Sequence, residues 1–510
     1  MQQLDTNGTA PTESALRVLF VYPEFPETYW SFRHALSFVG KRSAFPPLGL
    51  LTVSAMLPES WERRLVDMNV RSLKPSDVEW ADVVFASAMI VQKESLEWVV
   101  KLSKSLGKRV VVGGPFVTTT LQALEGADHV VLGEAEETLP QIIRDLERGE
   151  AQPVYDAPER PAMALTPIPD FKLADMKRYS AMSVQYSRGC PFNCEFCDII
   201  EIYGRVPRTK SNEQMLAELD VLKQSGWRGT VFIVDDNFIG NKKNVKLLLP
   251  HLAEWQERNG RPFTFITEAS VNLAEDDKLL DLMRQAGFNR AFLGIETPVE
   301  ESLKEAQKGQ NMRRDLLDSV KKIQSYGIEV MAGFIVGFDN DPEDIFERMT
   351  HFIRESAIPL AMVGLLTALP NTQLWRRLSG EGRLLGESAG NNTHSDLNFV
   401  PRMDSTRLVE GYKSILRSIY DTREYYDRAL ECLKRVSQPG PKSQRRNSLI
   451  KDISALARIM LRLGVRDRER LEFWRFMSHT LAHHRGAFAD SMRLAAMGYH
   501  FRKLTEAYCD

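Results

Sequence analysis

Three of the five cysteines in this 510-residue chain fall within eight positions, in Ser187-Arg188-Gly189-Cys190-Pro191-Phe192-Asn193-Cys194-Glu195-Phe196-Cys197. The spacing is C-x3-C-x2-C, and it comes directly after an apolar, strand-like run. Short spacings let the thiolates of one tight loop converge, and Gly189 and Pro191 suit such a loop. An ordinary [4Fe-4S] cluster takes four cysteines. Three local thiolates leave one iron open, and an open iron is where a ligand binds. Cys432 and Cys509 lie far along the chain in helical patterns and are not expected at the site. A structural zinc would want a fourth Cys or His at short range, and the nearest histidines, His129 and His251, are distant in sequence.

Five cysteines cannot staple a chain this long, so their clustering reads as metal binding in a reducing compartment. The formal net charge is −2, with no basic footprint for nucleic acid. Met1–Ser14 is polar and lacks the apolar core of a signal peptide. No run approaches the roughly 18 apolar residues of a membrane span. A cytoplasmic protein without a transmembrane segment is expected.

The fold class expected is α/β. Residues 1–15 read as a disordered tail. Over 16–150, five short apolar runs (Val18–Tyr22, Arg64–Asp67, Val83–Ala88, Val110–Val112 and Val130–Leu132) alternate with helical patterns. That rhythm implies a doubly wound, flavodoxin-like parallel sheet with its ligand beyond the carboxyl ends of the strands. Residues 151–178 hold Pro153, Pro158, Pro161, Pro167 and Pro169 and read as a linker. Over 179–370 six further strands are expected: Ser183–Tyr186, Thr230–Asp236, Phe263–Ala269, Arg290–Glu296, Glu329–Gly337 and Leu360–Leu369. Six βα units suit a (β/α)6 partial barrel with function at the C-terminal strand ends. Residues 371–437 read as an α-rich domain, 438–447 as a linker and 448–510 as a helical extension.

The cysteine stretch and the strand ends of the 179–370 region resemble the radical S-adenosylmethionine (SAM) superfamily. In that family the open iron chelates the amino and carboxylate groups of SAM, and cluster reduction cleaves it to a 5′-deoxyadenosyl radical. The resemblance implies that Cys190, Cys194 and Cys197 hold the cluster and that Phe196 lies near the adenine. It puts Asp235, Asp236 and Asn237, at the end of the second strand, before the SAM amino group. Glu296, ending the fourth strand, falls where a ribose-binding residue is usual. Gly333-Phe334-Ile335-Val336-Gly337 resembles the G-x-I-x-G-x-x-E element beside the adenine, with Asn340 where the family has Glu. On the residues alone, Asp235 and Asp236 also suit a turn cap, Glu296 a solvated strand end, and both glycines strand packing. Tyr186, Tyr203 and Arg205 lie near the loop in sequence and suit either substrate contact or packing.

The first α/β unit resembles cobalamin-binding domains, through Phe45-Pro46-Pro47-Leu48-Gly49-Leu50, Gly113-Gly114-Pro115 and Gly133-Glu134-Ala135-Glu136-Glu137-Thr138. Pro47, Gly49, Ser87, Gly113, Gly114, Gly133 and Glu134 are the expected cobalamin contacts, since strand-end glycines allow close backbone approach. The D-x-H-x-x-G motif that gives cobalt a histidine is absent, so no His ligand through that motif is expected.

The three-part order resembles the cobalamin-binding radical SAM group with a C-terminal domain of unknown function, which includes hopanoid C-2 methylases. It implies an enzyme using a [4Fe-4S] cluster, SAM, cobalamin and an external electron donor of flavodoxin or ferredoxin type. Methyl transfer to an unactivated carbon of a small metabolite is the leading expectation, and the hopanoid-methylase resemblance, not the residues themselves, suggests an apolar one. A radical cyclase or oxidase without methyl transfer is the alternative, and a non-enzymatic cobalamin-binding module a third. The residues after Pro370 are candidates for a lid, with Trp375, Phe399 and Tyr412 as wall residues or simply as helical core.

Overall fold

The computed structural model describes residues 15–120, 124–157, 159–388, 390–391, 397–436 and 449–509. The linker expected at 438–447 and residues 1–14 of the expected tail lie outside them. The chain divides into two compact units, one of Met1–Glu24, Gly49–Pro161 and Leu165–Leu173, the other of Phe25–Leu48, Ala162–Ala164 and Ala174–Asp510.

The first unit carries β1 (Arg17–Tyr22), β2 (Glu62–Asp67), β3 (Val83–Ser87), β4 (Arg109–Gly113), β5 (His129–Val131) and β6 (Val154–Tyr155). They form one parallel sheet in the order β2-β1-β3-β4-β5-β6. Val18 and Phe20 pack with Leu50, Leu139 and Ile142 on one face. Leu19 and Val21 pack with Val78 and Val99 on the other. Burial on both faces is why β1, like β3 beside it, is a nearly unbroken apolar run. Strand order reverses between β1 and β3, the switch point where such sheets open a ligand crevice. The sixth strand lies in the stretch read as a linker. Pro153 precedes it and offers its carbonyl to the Val130 N–H at 2.8 Å, and a proline is tolerated at an edge.

The second unit holds β7 (Met182–Val184), β8 (Ser187–Arg188), β9 (Arg208–Thr209), β10 (Gly229–Ile233), β11 (Phe263–Ala269), β12 (Phe288–Glu296), β13 (Glu329–Val336) and β14 (Leu360–Leu365). Six of them make the parallel sheet β14-β13-β12-β11-β10-β7, the partial barrel. The run read as one strand over Ser183–Tyr186 is interrupted, because Asp235 takes the N–H groups of Tyr186 and Ser187 out of the ladder. The chain then continues as the antiparallel ribbon β8–β9, which carries the cysteine loop.

Residues 25–48, grouped by their sequence with the first unit, pack in this one. Trp30 lies against Phe292 and Phe45 against Phe232, with ring centroids 5.1 and 4.9 Å apart. The helices Gln373–Gly380, Ser405–Ile419, Thr422–Val436, Leu449–Ile459, Arg470–His483 and Phe488–Cys509 belong to the same unit. Tyr420 fixes them to β14 by donating to the Ala361 carbonyl at 2.6 Å. Among the described residues no helix is long and apolar enough to cross a membrane.

Candidate active site

Gly189 makes the turn into the cysteine loop at φ +93°, and a β-carbon there would sit 2.8 Å from the Gly204 carbonyl oxygen. The Cys190 N–H closes on that same oxygen at 3.2 Å. Cys194 is buried, while Cys190 and Cys197 are part-exposed. Burial pushes the thiols of Cys190 and Cys197 up. Iron ligation needs thiolates, so loading a cluster here releases protons. Two amides point at the sulfurs: Asn237 Nδ2 stands 3.8 Å from Cys190 Sγ, and Gln310 Nε2 3.8 Å from Cys194 Sγ. Such donors tune cluster potential, and the loop with its amides fits a [4Fe-4S] cluster. Cys432 and Cys509 are buried among the C-terminal helices.

The Asp235–Asn237 triplet divides its work. Asp235 accepts from the Tyr186 and Ser187 N–H groups at 2.7 and 2.8 Å and from the Ser187 hydroxyl at 2.6 Å, so it anchors the approach to the cysteine loop. Asp236 accepts from the Gly189 N–H at 3.2 Å. Asn237 reaches Cys190 and also exchanges hydrogen bonds with Ser270. Glu268, two residues beyond Ile266 on the same face of β11, joins this group. Burial lifts Asp235 to about 6 and Asp236 to about 7. Burial and then the charges of Asp236 and Asp235 lift Glu268 to about 8. Carboxyls raised in this way fit a ligand that brings positive charge, and SAM carries both an ammonium and a sulfonium.

Glu296 stands at φ +66°, where a register shift interrupts the β12–β13 pairing. It is not a solvated strand end: it is buried in an ion pair with Lys308. Burial opposes the Lys308 charge, but Glu296 and Cys194 outweigh it and hold its pKa up. Lys308 also lies 5.7 Å over the Phe196 ring. Phe196 packs on the cluster of Phe338, Leu366, Leu374 and Phe399, which includes Trp375. Gly333 faces the Phe292 ring. Gly337 turns at φ +108° and donates to Asp341 at 2.7 Å. Asn340 donates to Glu305 at 3.0 Å. Tyr186 and Tyr412 are buried, Phe399 is core, and Arg205 is exposed beside the Pro191 carbonyl.

The helix Gln373–Gly380 is clamped to the cysteine loop. Arg377 grips Glu195 at 2.5 and 3.2 Å and Asp339 at 2.9 Å. Gln373 donates to Asn193 at 3.0 Å, and Arg376 pairs with Glu201 at 2.6 Å. Sequence reasoning missed Glu268, Lys308, Gln310 and Arg377. Glu268 carried a signal, a carboxylate next to the end of an apolar strand. The others sit on loops or a distant helix and carried none.

In the first unit, Ser87 and Gly113 are register partners at the ends of β3 and β4. Gly114, at φ +96°, brings its backbone so close to Ser87 that a β-carbon would lie 2.3 Å from the hydroxyl oxygen. Thr118 donates to the Gly114 carbonyl and accepts from the Gly133 N–H, each at 3.0 Å, which ties the β4 and β5 ends together. Glu134 is buried at the start of the helix Ala135–Arg148. Gly49 lies in the helix Leu48–Ala55 with open space at its β-carbon position. Pro47 falls in the second unit. The small, hydroxyl-lined strand ends fit cobalamin. His129, the unit's histidine, starts β5 at the opposite end from these strand termini and bonds the Gln152 carbonyl at 2.7 Å.

Family models match three stretches: a B12 binding domain at 42–143, the radical SAM superfamily at 184–353, and a domain of unknown function (DUF4070) at 372–510. The chain is 36% identical to hopanoid C-2 methylase of Rhodopseudomonas palustris, over 96% of this chain and 93% of that one. The chain belongs to the cobalamin-dependent radical SAM methylases. It is 46% identical to an uncharacterized methyltransferase of Synechocystis sp., over 96% and 92% of the two chains. The cobalamin-dependent SAM radical enzyme OxsB shares the fold, with a TM-score of 0.63 at 16% identity over 97% of this chain and 80% of that one. The protein is thus a C-methyltransferase that uses a [4Fe-4S] cluster, SAM and cobalamin.

Proposed function

We propose that this methyltransferase acts on an unactivated carbon of an apolar small molecule of the hopanoid kind. The supporting observation is the 36% identity to a hopanoid C-2 methylase, which spans nearly the whole of both chains. When bound, the cofactors supply a radical able to take hydrogen from carbon, and a methyl carrier.

The chain's own residues prepare the site for this. Cys190, Cys194 and Cys197 would hold the cluster, with Asn237 and Gln310 donating toward the Cys190 and Cys194 sulfurs. Asp236 and Glu268 are carboxyls whose ionisation a bound cation such as SAM favours, and Asp235 fixes the approach to the cysteine loop. The apolar packing of Phe196, Phe338 and Phe399 beside the loop keeps water from that side. An external one-electron donor of flavodoxin or ferredoxin type completes the system.

The test is anaerobic turnover of the reconstituted holoenzyme with a pentacyclic triterpene, read by mass spectrometry. A product heavier by one CH2, formed together with 5′-deoxyadenosine, is expected. SAM cleavage without any methylated triterpene would overturn the substrate class.

A further inference from the structure

The helix Arg470–His483 buries Phe473, Phe476, Met477 and Thr480 along one side. Its other side presents Leu471, Trp474 and Leu481 to solvent, at 77%, 45% and 48% exposure. Separations of three and seven residues put these side chains in one stripe. The preceding segment widens it. The Trp474 indole N–H donates to the Gly464 carbonyl at 2.9 Å, which holds the backbone just before Val465 against the ring. Val465 is 60% exposed, and Leu461, a turn earlier, 46%. A grouped apolar patch of this kind marks an interaction surface, unlike a lone exposed leucine.

The rim is cationic. Arg466 and Arg470 are exposed and have no ion-pair partner among the described residues. Arg485 is exposed too and donates to the Leu481 carbonyl at 2.8 Å. The neighbouring acids are already engaged: Asp467 by Arg502, Glu469 by Arg468 and Glu472 by Arg475. A second copy of the chain docked symmetrically here would set these arginines against one another. An anionic lipid surface would neutralise them and take the tryptophan and aliphatic side chains at its headgroup boundary.

We propose that the face formed by Leu461, Val465, Leu471, Trp474 and Leu481, with Arg466, Arg470 and Arg485 at its rim, docks on an anionic lipid bilayer. The docking stands on these residues alone. Its use, meeting a substrate that partitions into lipid, rests on the apolar-substrate reading under Proposed function.

Flotation of the full-length holoenzyme with phosphatidylcholine vesicles, with and without one quarter phosphatidylglycerol, tests this. Binding to the anionic vesicles should exceed binding to neutral ones by about tenfold and fall away in high salt. The double variant Leu471→Gln, Leu481→Gln and the variant Trp474→Gln should each bind about tenfold less. Arg466→Gln with Arg470→Gln should bind several-fold less. All should form 5′-deoxyadenosine from SAM at the unaltered rate, which separates docking from chemistry and from folding. Equal binding by parent and variants, or none by the parent, would overturn the proposal. So would a dimer of the parent that these variants turn into monomers, with no lipid bound. Docking that holds while triterpene methylation fails would leave this face assigned and refute only the substrate.

Discussion

Arg377 holds Glu195, the residue after Cys194, through two guanidinium nitrogens at 2.5 and 3.2 Å. One residue of the C-terminal region therefore reaches into the cluster loop. Asn193 and Glu201 are held by the same helix. The C-terminal region is part of what shapes the cluster site, beyond any role as a lid.

Arg377→Gln should loosen this loop. A charge-assisted hydrogen bond in a part-buried setting contributes about 2 kcal/mol, so the variant should hold less iron per chain and cleave SAM more slowly. Arg377→Lys should recover part of each. A chain ended before Thr372 should lose the cluster along with substrate turnover. Iron analysis and visible absorption of the anaerobically reconstituted protein decide it, and full loading of the truncated chain would refute the clamp.

Replacing Cys190, Cys194 or Cys197 by Ala should abolish both cluster and SAM cleavage. Replacing Cys432 or Cys509 should do neither, because both are buried among helices remote in sequence from the loop. SAM cleavage by any of the first three variants would remove that thiolate from the ligand set.

The neighbours Asp235 and Asp236 should differ. Asp235→Ala strands two backbone N–H groups and the Ser187 hydroxyl, each buried donor costing about 1–3 kcal/mol. It should unfold at lower temperature and lose the cluster. Asp236→Asn keeps a hydrogen-bond acceptor for Gly189 and should keep the cluster, with weaker SAM binding. Titrating SAM into both reconstituted variants, alongside their melting curves, checks the division.

The βα rhythm made most strands of both sheets legible, because strands buried on two faces read as apolar runs, while the short, half-exposed edge strand β6 among the prolines did not. The cysteine spacing made the loop at Cys190–Cys197 legible because its three thiols are local in sequence. What stayed hidden depends on distance. Asp235 breaks the strand at Tyr186 from 49 positions away. Gln310 reaches Cys194 from a single turn of 3-10 helix, Gly309–Met312, too short to show periodicity, and Lys308 just before it pairs with Glu296. Residues 25–48 looked continuous with the first sheet, yet Trp30 and Phe45 find their partners in the barrel. Gly337 matched a sequence pattern and Asn340 departed from it, while the turn that follows Gly337 is capped by Asp341, one residue further on.

Cobalt should carry no histidine from the first unit. His129 is bound to Gln152 at the wrong end of β5, so His129→Ala should leave cobalamin binding unchanged. The electron paramagnetic resonance spectrum of the cobalt(II) form should lack nitrogen splitting from a protein imidazole. Gly114→Ala, forcing a β-carbon to within 2.3 Å of the Ser87 oxygen, should weaken cobalamin binding instead. Imidazole splitting that disappears in His129→Ala would refute the assignment.

His500 should make the fold acid-sensitive. It is buried on the helix Phe488–Cys509, near the His34 ring, with Nε2 3.4 Å from the Tyr29 carbonyl. Burial, then His34, lowers its pKa to about 3. In the unfolded chain a histidine titrates at about 6.5. Its folded value is thus depressed, so the stability is whole above about pH 6.5 and is lost as pH falls toward 3. One proton costs about 1.4 kcal/mol per pH unit, which gives about 2 kcal/mol between pH 6.5 and 5. His500→Phe, placed among Phe32 and Phe501, cannot take up that proton. Melting curves from pH 7.5 to 5 should show a steeper fall for the parent than for the variant, and parallel curves would refute the role of His500.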